Sequence, residues 1–260
     1  MSSNFLENIF GLKNKVALVV GGGGELGKAM ALGIAKAGAD VAIADIKVQA
    51  ANAVSKEITA LGRESIALEV DVTNSKIVDN MVEKVIAKFE KIDILVNSAG
   101  ISNHVPAHEM SDEDWESVVK INLNGTFFCC RAVGKYMVKQ QKGSIINIAS
   151  MSGSITNKDS FNASYCASKG GVKMLSKQLA EQWARYNIRI NSISPGYMRT
   201  ELAIHYIDDP KNKKWIEMVS PMKRAGMPDE LMGLAIYLAS DASSFVTGED
   251  VIIDGGWTIV

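Results

Sequence analysis

The chain has 260 residues, 47% of them hydrophobic, and a formal net charge of −1. That length suits one α/β unit with a large core, and the balanced charge, with no long basic run, argues against nucleic acid as a main partner. No stretch of about 18 apolar residues offers a membrane span.

Residues 1–7 lack a cationic start followed by an apolar stretch, so no secretory signal is expected. Residues 16–20 read as a buried strand, followed by a glycine cluster and a helix over 26–37. A second strand is expected over 41–45, then a helix over 48–61 with Gly62 placed to end it. A third strand covers 65–70. Asn74 is a helix N-cap, and the helix runs to Phe89 with Ile77, Met81, Val85 and Phe89 at fourfold spacing on one face. Residues 92–96 form the fourth strand. Ser111 caps a long helix running to about Gln140, whose first-turn acids complement its dipole. Cys129, Cys130 and Cys166 match neither a metal nor a disulfide pattern. All three are expected as small buried thiols in a reducing, cytoplasmic setting, and no metal site is read.

A fifth strand over 144–148, a helix over 163–186, a sixth strand over 188–193, a helix from Pro228 to about Ser240 and a seventh strand over 250–253 complete the series. Strands and helices alternate, and most strands are apolar on both faces. The expected class is therefore α/β: a single Rossmann-type, doubly wound domain over 1–260, with a parallel sheet of about seven strands and helices on both faces. Residues 195–227 break the rhythm, and an excursion of that length reads as a lid or substrate loop.

The first strand runs into Gly21, Gly22, Gly23 and Gly24, with Gly27 beyond. Gly22, Gly24 and Gly27 satisfy G-x-G-x-x-G between a strand and a helix, the context that motif requires. Without Cβ atoms the backbone turns tightly and lets a pyrophosphate approach the helix N-terminus. Asp45 ends the second strand, where a carboxylate accepts ribose hydroxyls and repels a 2′-phosphate. This favours NAD over NADP, with Lys47 softening the preference. Asp71 ends the third strand, either receiving an adenine amino group or building a capping turn with Thr73 and Asn74. Tyr165 and Lys169, four residues apart, project from one face of a helix. A phenol ordinarily ionises near pH ~10, and a neighbouring ammonium draws that value down, so the pair is a candidate proton-transfer device.

With the glycine turn, Asp71, residues 97–100, residues 121–125, residues 147–150, the Tyr165/Lys169 pair, Pro195 and Gly196 with Thr200, and residues 254–256, the chain resembles the short-chain dehydrogenase/reductase family over about residues 12–257. The resemblance implies catalytic roles for Asn122, Ser150, Tyr165 and Lys169. Tyr165 would be the proton donor or acceptor, with Lys169 lowering its pKa and holding the nicotinamide ribose. Ser150 would bond the substrate oxygen, and Asn122 would hold a helix distortion and a water. Cofactor contacts would come from Gly21, Gly22, Gly24, Leu26, Gly27, Asp45, Asp71, Val72, Asn97, Ala99, Gly100, Tyr165, Lys169, Pro195, Gly196, Met198 and Thr200.

Two positions depart from the family pattern: Val20 replaces a threonine, and Glu25 stands where the middle glycine is usual. A carboxylate aimed at a pyrophosphate is repelled. Glu25 is therefore expected to point away, with Gly23 and Gly24 supplying the conformational freedom.

The residues after Ser150 and the step from Ser150 to Tyr165 resemble the polyol and sugar-ketone branch, whose members act on mannitol and fructose, sorbose, xylulose or 5-keto-gluconate. Hydride transfer between nicotinamide and a secondary alcohol or ketone is the implied reaction. Ser102, His104, Ser152, Asn157 and His205 are the candidate substrate contacts. Lys211, Lys213 and Lys214 are either a solvated run or a seat for an acidic sugar. A 3-oxoacyl thioester reductase and a cofactor-binding scaffold without turnover stand as alternatives. The family commonly forms tetramers, and the apolar residues 257–260 suit a homotetramer contact or the chain's own core.

Overall fold

The computed structural model describes residues 2–156 and 160–260. Its sheet holds β1 (Val16–Val20), β2 (Asp40–Asp45), β3 (Ser65–Glu69), β4 (Ile94–Asn97), β5 (Gly143–Ile148), β6 (Ile188–Pro195) and β7 (Asp250–Ile253). The order is β3-β2-β1-β4-β5-β6-β7, and every pair is parallel.

Alternation along β1 shows why both faces are covered. Ala17 and Val19 join one buried cluster with α2 (Glu25–Lys36), α3 (Val48–Ala60) and α10 (Met232–Ala239). Val16, Leu18 and Val20 join the opposite cluster with α4 (Ser75–Phe89), α6 (Thr126–Gln140) and α7 (Ala163–Trp183). The strand order reverses between β1 and β4, which opens a crevice beyond their carboxyl ends.

The helices differ from the sequence expectation in four places. In α4, Asn74 caps as expected, accepting from Lys76 N at 3.0 Å and Ile77 N at 3.4 Å. The buried stripe, however, is Val78, Met81, Val82 and Val85, while Ile77 is 38% exposed. Inward faces advance by three as well as four residues, so a strict fourfold reading drifts off the core. The long helix after Ser111 is broken: α5 (Asp112–Val119) passes through a π turn at Lys120–Gly125 before α6 begins. An amphipathic helix, α1 (Ser2–Phe10), precedes β1. Residues 195–227 hold α8 (Glu201–Asp208) and α9 (Pro210–Val219), seated on a small third cluster of Met151, Ile207, Ile216, Ala225 and Trp257. Cys129 and Cys130 are buried, but Cys166 is only half-buried. Among the described residues, no helix is long and apolar enough to cross a membrane.

Candidate active site

The turn after β1 is held by backbone contacts. Gly21 N and Gly22 N both donate to Ala44 O, at 2.8 and 3.2 Å. Gly21 sits at φ +73, and a Cβ there would lie 2.4 Å from Ala99 N. A Cβ on Gly27 would lie 2.2 Å from Gly21 O. The conformational freedom therefore comes from Gly21, not from Gly24, which has an ordinary extended backbone at φ −79. Gly23 is fixed by packing instead, since a Cβ would meet Ala50 at 2.8 Å and the Asp45 carboxylate at 3.0 Å. Gly24 caps α2 without a side-chain bond, so the first-turn N–H groups are open to an anion. This cradle fits a dinucleotide pyrophosphate. Gly21→Ala is expected to destabilise the protein by on the order of 3 kcal/mol, combining left-handed strain with a backbone clash. Urea unfolding checks this, and a loss below about 1 kcal/mol contradicts the close approach.

A cavity of about 660 Å³ lies over this turn and the carboxyl ends of the strands. Its wall contains Gly21, Gly24, Leu26, Gly27, Gly100, Ser150, Tyr165, Lys169, Pro195, Gly196, Met198 and Thr200 from the expected set. Ser102, His104 and Ser152 also border it. Gly22, Asp45, Asp71, Val72, Asn97, Ala99 and Asn122 do not border it, and Asn157 lies outside the described residues. His205 is a correction: it is exposed on the outer side of α8, and its neighbour Tyr206 faces the cavity. Lys47, expected to soften the cofactor preference, and Ser98, from the expected 97–100 block, also border it, as does Glu25; Ser160, Asn162, Tyr197, Ala203 and Tyr206 border it as well, without a role read for them in the sequence.

Several of the residues that do not border the cavity hold the turns and loops around it. Asp45 Oδ2 accepts from Gly23 N at 3.0 Å and Oδ1 from Lys47 N at 2.9 Å. A carboxylate has about four lone-pair sites, so capacity for ribose hydroxyls remains. Asp71 Oδ1 accepts from Thr73 N at 2.9 Å and from its hydroxyl at 2.7 Å, building the capping turn. Asn97 donates to Asn147 Oδ1 at 2.8 Å, and Asn147 to Ser176 Oγ at 2.9 Å, a buried polar chain beneath β4 and β5. Asn122, in the π turn, accepts from Ile101 N at 2.9 Å. It donates to Ile101 O at 2.9 Å and to Ser168 Oγ at 3.0 Å. It thereby ties the loop after β4 to α7.

Ser150, Tyr165 and Lys169 meet at the cavity floor. The Ser150 hydroxyl lies beside the Tyr165 phenol, where it favours the ionised form, and accepts from Ser152 N at 3.1 Å. Lys169, 5% exposed, donates to Ile148 O at 2.8 Å, and its Nζ lies 5.6 Å from the Tyr165 ring centroid. Burial pushes the phenol pKa up, only partly offset by the Ser150 hydroxyl, and burial lowers the Lys169 amine to about 8. Lys169 is not among the groups that shift the phenol, so the expected acidification of Tyr165 by Lys169 is not seen here. In a dry floor, desolvation drives both groups toward their neutral forms.

Above the floor, Tyr197 stacks on Tyr206 at 5.6 Å, Tyr197 meets Trp257 edge-on at 5.0 Å, and Trp257 meets Trp215 at 4.8 Å. This aromatic cluster fixes α8 and α9 over the cavity. His104 pairs with Ser160 O at 2.7 Å at the rim.

Residues 24–258 match the family model described as enoyl-(acyl carrier protein) reductase. The D-threitol dehydrogenase of Mycolicibacterium smegmatis is 39% identical over 250 residues, covering 96% of this chain and 95% of that protein. A probable NADP-dependent mannitol dehydrogenase of Yarrowia lipolytica is 41% identical over 262 residues, covering 99% and 92%. The crystal structure of a gluconate 5-dehydrogenase from Burkholderia cenocepacia in complex with NADP and tartrate aligns with a TM-score of 0.92 at 36% identity, covering 98% of this chain and 99% of that one.

Proposed function

The chain belongs to the short-chain dehydrogenase/reductase family, and from that premise we propose that it interconverts a polyol and the corresponding keto-sugar with NAD as cofactor. The observation that carries the reading is the convergence of the Tyr165 phenol, the Ser150 hydroxyl and the Lys169 amine on one cavity floor beside the glycine turn. The nicotinamide supplies the hydride chemistry when bound. Tyr165 gives its proton to the carbonyl oxygen in reduction and takes one from the hydroxyl in oxidation. Ser150 orients that oxygen through a second hydrogen bond. Lys169 is anchored by Ile148 O, with its amine poised to exchange protons near neutral pH. Asn122 positions the loop that closes the floor.

The wall suits a neutral, hydroxyl-rich molecule. Ser102, His104, Ser152, Asn162 and Tyr206 supply donors and acceptors, whereas Lys211, Lys213 and Lys214 on α9 do not border the cavity. The preference for NAD rests on the Asp45 carboxylate beside Gly23. Lys47, which does border the cavity, favours a 2′-phosphate and narrows the preference. A homotetramer is supported by apolar side chains left exposed on α5, α6 and α7 (Trp115, Phe127 and Met174) and near the C-terminus (Phe245, Ile252 and Val260). The cytoplasmic setting rests on the free thiols.

A screen of NAD and NADP against polyols, keto-sugars and acetoacetyl thioesters, read by absorbance of the reduced nicotinamide, tests the reading. Turnover of a polyol with kcat/KM higher for NAD is expected, and Asp45→Ser is expected to shift the ratio toward NADP by about tenfold. Turnover of thioesters alone overturns the substrate class, and a wild-type preference for NADP overturns the cofactor assignment.

A further inference from the structure

Glu25 lies in the glycine turn yet does not serve it. Its Oε2 accepts from the backbone N of Glu201 at 2.5 Å, across 176 positions in sequence. Glu201 is the first residue of α8, whose N-cap is Thr200. Thr200 has the extended backbone of an N-cap (φ −121, ψ 160) but makes no side-chain capping bond. One first-turn donor of α8, Glu201 N, is therefore satisfied from another part of the chain. A carboxylate is the preferred partner at that end of a helix, through both the charge-assisted bond and the helix dipole.

The contact crosses the cavity mouth. Glu25 and Glu201 both border the cavity, as do Thr200, Ala203 and Tyr206 on the α8 side. Nothing else in the first turn of α2 reaches α8 by a side-chain hydrogen bond among the described residues. The segment carrying Tyr206 is thereby registered against the glycine turn.

We propose that Glu25 is a positioning residue that clasps the α8 lid onto the glycine turn, setting the substrate half of the cavity relative to the cofactor half. The proposal rests on the oxidoreductase reading for its kinetic consequence, but not for the clasp itself. It also accounts for a carboxylate in a turn where the family usually has glycine. The side chain is directed at a backbone N–H of the lid, which leaves the α2 amides for the pyrophosphate.

The test compares full-length wild type, Glu25→Ala and Glu25→Gln, with hydrogen–deuterium exchange of the peptide spanning 198–208 as the first readout. Glu25→Ala is expected to speed exchange there by about tenfold, the usual scale for losing a charged hydrogen bond, with α2 and the sheet unchanged. Glu25→Gln keeps an accepting oxygen and is expected to stay within about threefold of wild type. In steady-state assays Glu25→Ala is expected to raise the substrate KM by about tenfold, with kcat and the NAD dissociation constant much less affected. Unchanged exchange at 198–208 in Glu25→Ala overturns the clasp, as does a general acceleration that includes α2. A faster lid with an unmoved substrate KM overturns the positioning role. If no polyol or keto-sugar is turned over, the functional reading fails, while the exchange comparison still decides the clasp.

Discussion

Tyr165→Phe lowers kcat by about 10²–10⁴-fold, the usual contribution of a placed general acid or base, and leaves dinucleotide binding essentially intact. The substitution removes one oxygen. The ring that packs beside Lys169 remains, and so does the glycine turn that seats the pyrophosphate. What is lost is the phenol beside Ser150 that is placed to move a proton to or from a substrate oxygen at the floor. Steady-state kinetics with a polyol, together with a fluorescence titration of NAD, separate the two effects. A loss smaller than about tenfold removes Tyr165 from the proton-transfer step.

Lys169→Met also abolishes most turnover, but it is expected to make the protein more stable near neutral pH. Burial lowers the Lys169 amine from the ordinary 10.5 to about 8. Between those values the unfolded chain binds more protons than the folded one, so wild-type stability rises with pH across that window. Below about pH 8 the folded protein carries the full cost of a buried ammonium, on the order of 3 kcal/mol. Methionine removes that cost, offset by about 1 kcal/mol for the lost bond to Ile148 O. Urea unfolding is expected to show the variant ahead at pH 7, with its advantage shrinking as pH rises through 8 toward 10.5. A constant difference across that range contradicts the buried-amine account. A gain in stability with a loss of turnover is the mark of a side chain retained for chemistry.

The sheet was legible because it follows from local rules. Alternation at Ala17, Leu18 and Val19 and glycine at the end of β1 dictate a two-faced parallel strand entering a phosphate turn. The candidate floor was legible because Tyr165 and Lys169 share one helical turn, while Ser150 follows the end of β5. What was not legible depends on contacts between distant segments. Glu25 in isolation reads only as an anion in the wrong place, and its partner lies at Glu201. The choice of Tyr206 over His205 depends on how α8 rolls onto the aromatic cluster, which no local period encodes. The pKa balance at Tyr165 is hidden from the sequence for a related reason. Sequence places an ammonium next to the phenol but does not reveal how dry both become.

Of the chain's tryptophans, Trp215 and Trp257 lie edge to face where the excursion folds back onto the C-terminal residues, while Trp183 packs against Gly134 in the opposite layer. Because Trp215 rides on α9 and Trp257 on the C-terminal residues, indole emission is expected to change when those two segments part, over a background from Trp115 and Trp183.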